Sequence, residues 1–100
     1  MALFVYVLKI VVARDIYEPH LPTHLTYLRR LEDAGDLVLS GPFGDRTGGM
    51  IMVRAASLAE AQAIAEADPL VASGVDVYEL HEWLPTAGDP SLIHVQRLSS

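Results

Sequence analysis

The N-terminal strand places the strongest constraint on the fold of this chain. Residues 2–12 read ALFVYVLKIVV, with apolar side chains on both of the faces that a strand presents. A strand of this kind needs cover on both sides. A chain of 100 residues with two main helical segments covers one face of its sheet, so a second subunit is needed for the other face. The sequence therefore predicts a homodimer that packs through the open face of the sheet.

The rest of the chain alternates helical and strand patterns between clear stop signals. Pro22 suits the first turn of a helix, and Gly35 suits its left-handed end. Ser57 and Glu60 form a capping box ahead of a second helix, which ends before Pro69. The predicted elements are, in order, a strand over 2–12, a loop over 14–22, a helix up to Gly35, strands over 37–40 and 50–55, a helix after Ser57 and a strand over 75–83.

The predicted order β-α-β-β-α-β is that of a ferredoxin-like sandwich, an α+β fold. Two helices cover one face of a four-stranded antiparallel sheet, and the other face stays open. Residues 1–84 form the domain, and residues 85–100 form a C-terminal tail. Within the tail, the alternating segment Leu92–Leu98 is expected to form an edge strand or a clasp across the dimer.

Composition narrows the classes of partner. Thirteen acidic residues against seven basic ones give a net charge of −6, which disfavours nucleic acid and anionic membranes as partners. There is no cysteine, so thiolate chemistry is excluded. The N-terminal apolar run is too short to cross a bilayer and lacks the features of a signal peptide, so we expect a cytoplasmic protein. No phosphate-binding or dinucleotide motif is present, and no cofactor is expected.

His24 is the first candidate for chemistry. It shares a helix face with Leu28 and Leu31, while charged residues occupy the opposite face. The helix N-terminus favours a neutral imidazole, which is the form that a general base requires. The alternative is a core histidine bonded to a backbone carbonyl. His20, four residues earlier, has metal-ligand spacing, but Pro22 intervenes and no carboxylate follows suitably, so no metal site is expected.

Asp68 is the second candidate. Taken locally, it is only a cap in front of Pro69. In a ferredoxin-like sandwich, however, the end of the second helix lies near the start of the first, which brings Asp68 within reach of His24. A carboxylate on one imidazole nitrogen selects the tautomer and leaves the other nitrogen free as a base.

The segments that carry these residues resemble the YCII family over about residues 2–83. They are HLTYLRRLEDAGDLVLSGPF, GGMIMV and SLAEAQAIAEADPLVASGVDVYELHEW. The matching motifs are the pair His24-Leu25, the turn Ser40-Gly41-Pro42, the step Asp68-Pro69 and the closing aromatic residue Trp83.

The resemblance implies a ferredoxin-like dimer in which a histidine and an aspartate line an active-site cleft. In this chain they are His24 and Asp68. The turn beside them supplies candidate substrate-binding residues, namely Ser40, Gly41, Pro42 and Phe43. Many family members carry an arginine just ahead of the histidine, where this chain has Leu21. Arg14 is the nearest basic residue upstream and is therefore the candidate anchor for a substrate.

One activity associated with the family is dehydrochlorination of a chlorinated hydroxyquinol in aromatic degradation, a lyase reaction without a cofactor. The resemblance therefore implies a small enzyme whose His–Asp pair is the general base on hydroxylated aromatic compounds, halogenated ones included. Two alternatives stay open at this point. The first alternative is a non-catalytic dimeric module that binds a small ligand in the same cleft. The second is a regulatory partner that acts through its dimer surface.

Overall fold

A four-stranded antiparallel sheet with strand order β2-β3-β1-β4 forms one layer of the protein. The computed structural model describes residues 1–89 and residue 91. The elements are β1 (Ala2–Ile10), α1 (Arg14–Tyr17), a 3₁₀ turn (Glu18–His20), α2 (Leu21–Asp33), β2 (Leu37–Pro42), β3 (Gly48–Ala55), α3 (Leu58–Ala67), α4 (Pro69–Ala72) and β4 (Asp76–Glu82). The predicted α+β ferredoxin-like order is confirmed, with short helical segments added before α2 and after α3.

The core lies between the sheet and the two longer helices. Even-numbered residues of the central strand β1, among them Phe4, Tyr6 and Leu8, point towards the helices and are buried. Ala61 and Ala65 of α3 are fully buried, and their small side chains let this helix lie close to the sheet. The helices are thus all on the even-numbered face of β1.

The opposite face of the sheet is mixed: it carries apolar side chains, and the strand register also places charged and polar ones there, namely Lys9, Arg54, Glu79 and His81. We use the term open face for the side that carries the odd-numbered residues of β1 together with Leu39, Met50, Met52 and Val77, which the strand register places beside them. Leu39 is 65 % exposed and Val77 is 52 % exposed. At the centre of this face, Val5 and Met52 are buried, whereas Leu39 and Val77 on the outer strands are exposed.

The loop predicted for residues 14–22 is wrong, because this segment is helical. α1 and the 3₁₀ turn run directly into α2. Pro19 and Pro22 lie in the first two positions of their helical segments, where a missing N–H leaves no intrahelical hydrogen bond unmade. Arg14 and Tyr17 of α1 lie in the wall of the cavity described below.

The predicted end of β2 is also wrong, since the strand continues through Gly41 and Pro42. β2 is an edge strand, where a proline is tolerated. β3 begins at Gly48, two residues before the predicted start at residue 50. A Cβ on Gly48 would lie 1.8 Å from the carbonyl oxygen of Leu8, so glycine is required by the close approach of β1.

The predicted helix ends agree with the structure. Gly35, with φ of +79°, follows α2, and the Ser57 side chain accepts a hydrogen bond from the Glu60 N–H at 3.1 Å. The tail segment Leu92–Leu98 lies outside the described residues, so its order, and the division into residues 1–84 and 85–100, stay predictions. None of the helices among the described residues has the length and apolar character needed to cross a membrane.

Candidate active site

A cavity of about 590 Å³ lies between the helical segments at the start of the chain and the sheet. This volume is typical of a pocket for a small molecule. Most of its wall is apolar, with residues such as Leu8, Leu28 and Ile51. The polar and charged side chains in the wall are Arg14, Tyr17, Glu18, His24, Ser40, Arg46 and Asp76.

His24 lies in the first turns of α2, and its ring is part of the cavity wall. The side chain is largely buried, with only 8 % of the residue exposed. Its Nδ1 atom is 2.8 Å from Oδ1 of Asp68. The contact expected from the helix arrangement is therefore present, and the alternative of a backbone carbonyl partner does not describe this histidine.

Asp68 is fully buried and is hydrogen-bonded to three groups. The Tyr6 hydroxyl donates to Oδ2 at 2.8 Å, and the Leu70 N–H donates to Oδ1 at 3.0 Å. The third partner is Nδ1 of His24. Asp68 thus caps α4, as predicted, and also joins β1 and α2 to the end of α3.

These hydrogen bonds determine the tautomer of His24. The Tyr6 hydroxyl and the Leu70 N–H both donate to Asp68, and two such donors suit the ionised form of the carboxyl group, which has no proton to donate. Burial, and next the Asp68 carboxylate, raise the pKa of the Tyr6 hydroxyl far above its ordinary value, so Tyr6 stays a donor. The Nδ1 atom of His24 therefore carries the proton towards Asp68. In the neutral ring, Nε2 is then the nitrogen with a free lone pair.

The structure brings most of the predicted site residues together. Arg14, Ser40, Gly41 and Pro42 line the cavity beside His24. Asp68 lies behind the imidazole and does not form part of the wall. Phe43 also lies outside the wall, so the cavity offers no support for its predicted contact with a substrate.

Sequence reasoning missed two buried members of the site. Tyr6 alternates with Phe4 and Leu8, and this pattern does not distinguish a core tyrosine from a hydrogen-bond donor to Asp68. Asp76 offered a clearer signal. It alternates with Tyr78 and Leu80, which pack against the core, so period-2 alternation places Asp76 on the same face.

Asp76 is the first residue of β4 and is only 3 % exposed. Its Oδ1 atom has no hydrogen-bond partner within the described part of the chain. Burial is the main cause that raises the pKa of Asp76 from 3.8 to about 6; the Asp68 charge adds to the increase and His24 opposes it. A buried carboxyl with an unpaired oxygen thus lies in the wall of the same cavity as His24.

The raised pKa of Asp76 predicts a pH-dependent stability. The folded state holds this proton more tightly than the unfolded state, so the contribution of Asp76 to stability is greatest below about pH 4 and is lost as the pH rises through about 6. Asp76→Asn keeps the shape and removes the ionisation. We expect the variant to be about 2 kcal/mol more stable than the native protein at pH 8, and nearly equal to it at pH 4.

Urea unfolding at the two pH values measures this difference. Asp15→Asn, at an exposed position of α1, is the matched control and should show no comparable pH-dependent difference from the native protein. A difference between Asp76→Asn and native protein that is equal at both pH values would contradict a buried ionisation at this site.

His20 and His24, which have metal-ligand spacing in the sequence, belong to no metal cluster within residues 1–89 and 91. His20 precedes α2 as its N-cap, while His24 lies inside the helix. In that part of the chain, no group of three or more His, Cys, Asp or Glu side chains is arranged to hold a metal ion.

The fold has a counterpart among solved structures. It is similar to 5-chloro-2-hydroxyhydroquinone dehydrochlorinase (TftG) from Burkholderia phenoliruptrix AC1100, solved in complex with 2,5-dihydroxybenzoquinone. The TM-score is 0.72 at 22 % sequence identity, and the match covers 83 % of this chain and 94 % of TftG. At this identity the similarity shows a shared fold, which agrees with the ferredoxin-like arrangement of the sheet and helices.

Two sequence comparisons give the family. The profile of the YCII-related domain matches residues 3–84. The Bacillus subtilis (strain 168) protein named "Uncharacterized protein YjpA" is 37 % identical over 81 residues, which cover 81 % of this chain and 95 % of that protein. The resemblance drawn from His24-Leu25, the Ser40-Gly41-Pro42 segment and Asp68-Pro69 is thereby confirmed. The chain belongs to the YCII-related domain family.

Proposed function

We propose that this protein is a small cofactor-independent lyase that removes hydrogen halide from halogenated, hydroxylated aromatic compounds. His24 is the general base, and Asp68 orients it. The observation that carries the proposal is the 2.8 Å contact between the imidazole in the cavity wall and a fully buried carboxylate behind it. A base held in one tautomer at the wall of a mostly apolar cavity is suited to proton abstraction from a bound phenol.

In the proposed reaction, Nε2 of His24 takes a proton from a hydroxyl group of the substrate. The Asp68 carboxylate then stabilises the imidazolium through the hydrogen bond that it already makes to Nδ1. Negative charge develops on the substrate oxygen as the proton leaves. Arg14, Arg46 and Ser40 are the groups of the wall that are suited to hold such an oxygen.

The solved structure of TftG supports this choice of reaction class. Its name states a dehydrochlorination of a chlorinated hydroxyhydroquinone, and its bound ligand is a dihydroxybenzoquinone. The cavity of this chain has room for a single substituted ring and a predominantly apolar wall to receive its faces.

The test is turnover of a panel of chlorinated and brominated hydroxyquinols by the purified protein. We expect halide to appear in solution together with the absorbance of the quinone product, in equal amounts and without added metal or cofactor. Binding of the quinone without any halide release across the panel would contradict the enzyme, and would favour the alternative of a ligand-binding module.

We also propose that the protein is a homodimer that packs through the open face. Leu39→Lys introduces a charge at a position that is 65 % exposed, so it should leave the protomer folded and dissociate the dimer. Leu58→Lys is the matched control, because Leu58 is 58 % exposed on α3, in the other layer of the protein. Sedimentation velocity at micromolar concentration measures both. A monomeric native protein would contradict the proposal.

The remaining partner and location proposals depend on composition. The net charge of −6 continues to argue against nucleic acid and anionic membranes as partners. The absence of cysteine gives no reason to place the chain in an oxidising compartment, so the cytoplasm stays the proposed location.

A further inference from the structure

Loss of hydrogen halide from an aromatic ring requires a proton donor as well as a base. The carbon that carries the halogen has no hydrogen, so it must take up a proton before the halide can leave as a quinone forms. His24 serves as the base in the proposed function, and its Nδ1 proton is engaged by Asp68. A second titratable group in the same cavity can supply this proton while His24 holds the proton taken from the hydroxyl group.

We propose that Asp76 is a second catalytic residue, the acid that gives its proton to the halogen-bearing ring carbon of a hydroquinol-type substrate. This inference rests on the proposed lyase function. The observation that carries it is a carboxyl group that is almost fully buried, lines the cavity together with His24, and has an oxygen without a protein partner in the described residues.

The burial of Asp76 distinguishes it from the other acid in the wall. Glu18 is exposed and lies 3.6 Å from Arg14, so it is solvated and paired. Asp76 is held at the start of β4 by its pairing with Ile10 at the end of β1. An unpaired buried carboxyl oxygen is costly for a fold to maintain in its charged form, which favours the protonated form of Asp76 that an acid requires.

His24 and Asp76 are not joined by a hydrogen bond. Asp68 binds Nδ1 of His24 and the Tyr6 hydroxyl, whereas Asp76 makes no side-chain hydrogen bond to His24, Asp68 or Tyr6. The cavity wall therefore presents one imidazole and one carboxyl that are free to contact different atoms of the same ring. Such a division of roles between two titratable groups is common in acid–base catalysis.

The charges around Asp76 allow it to exchange a proton near neutral pH. Burial raises its pKa to about 6, with Asp68 adding and His24 opposing. The other titratable and charged groups that face the cavity are Arg14, Tyr17 and Glu18 from the helical segments before α2, and Arg46 from the turn between β2 and β3. A carboxylic acid with a pKa near 6 is available in both of its forms under these conditions.

The proposed steps balance in atoms and electrons. One hydroxyl proton of the hydroquinol passes to His24, and that oxygen becomes the first carbonyl. At the same time the ring π electrons take the proton of Asp76 and form a C–H bond at the halogenated carbon. A second hydroxyl proton then passes to the Asp76 carboxylate and restores the acid. The electron pair released forms the second carbonyl, and the halide leaves with the pair of its carbon–halogen bond. The products are a quinone, a halide ion and the proton on His24, which is released to solvent.

Asp76→Asn tests the role, because it keeps the shape of the side chain and removes the transferable proton. We expect kcat for halide release to fall by about 100-fold, while the Kd for 2,5-dihydroxybenzoquinone, the TftG ligand, changes by less than about threefold. The kcat of the native protein should depend on a group that titrates near pH 6, and the residual kcat of Asp76→Asn should lack this dependence. Asp15→Asn is the control and should match native turnover.

The outcomes separate this inference from the function on which it rests. If the native protein releases halide and Asp76→Asn does so with an equal kcat, the role of Asp76 is overturned and the proposed lyase function stands. An equal loss of quinone binding and turnover would also overturn it, since Asp76 would then be a binding residue. A native protein without halide release on any hydroxyquinol of the panel would refute the lyase itself, and the inference with it.

Discussion

His24→Asn is expected to lower kcat for halide release by about 1,000-fold while the protein stays folded. The asparagine amide can place an N–H donor near the position of Nδ1 and so retain a hydrogen bond to Asp68. It has no counterpart of Nε2, and the proposed base is lost. The measurement is steady-state turnover of a chlorinated hydroxyquinol by native and variant protein, followed by halide release.

This variant also separates a catalytic cavity from a binding cavity. If His24 abstracts a proton, 2,5-dihydroxybenzoquinone should still bind to His24→Asn with a Kd close to the native value, although turnover is lost. Urea unfolding provides the control for the fold. Native turnover in a correctly folded His24→Asn variant would end the assignment of His24 as the base.

Asp68→Ala is expected to lower the free energy of unfolding by about 4 kcal/mol. The substitution removes the acceptor for Tyr6, Leu70 and His24 at a fully buried position, and leaves their donors without a partner. A domain of this size has a stability of roughly 5–15 kcal/mol, so the loss is a large part of the total. Urea unfolding at pH 7 measures it.

Tyr6→Phe is the matched comparison for Asp68→Ala. It deletes only one of the three hydrogen bonds, so we expect a loss of about 1 kcal/mol. In the double variant the two losses should not add, because the Tyr6 hydroxyl has already lost its acceptor. Additive losses, or an Asp68→Ala protein as stable as the native one, would show that the buried network does not stabilise the fold.

The local sequence pattern was sufficient to predict the architecture. The alternation of apolar residues in β1 predicted its two faces, and Gly35, Ser57 and Pro69 marked helix ends at the observed places. These signals act within a few residues, through backbone dihedral angles and caps. The same local reasoning failed over residues 14–22. A proline can follow the end of one helix or lie in the first turn of another, and only the surrounding backbone decides between these two roles.

The candidate site could be predicted in part, because the order of the elements already brought His24 and Asp68 towards each other. The full site required the tertiary structure. The Tyr6 hydroxyl meets a carboxylate that is 62 residues away, and Asp76 is buried in the cavity wall with an unpaired oxygen. Such contacts depend on strand register and on how closely helices pack on the sheet. The sequence by itself determined the elements and the faces that they bury, while the tertiary structure decided which polar side chains meet inside and which of them reach the cavity.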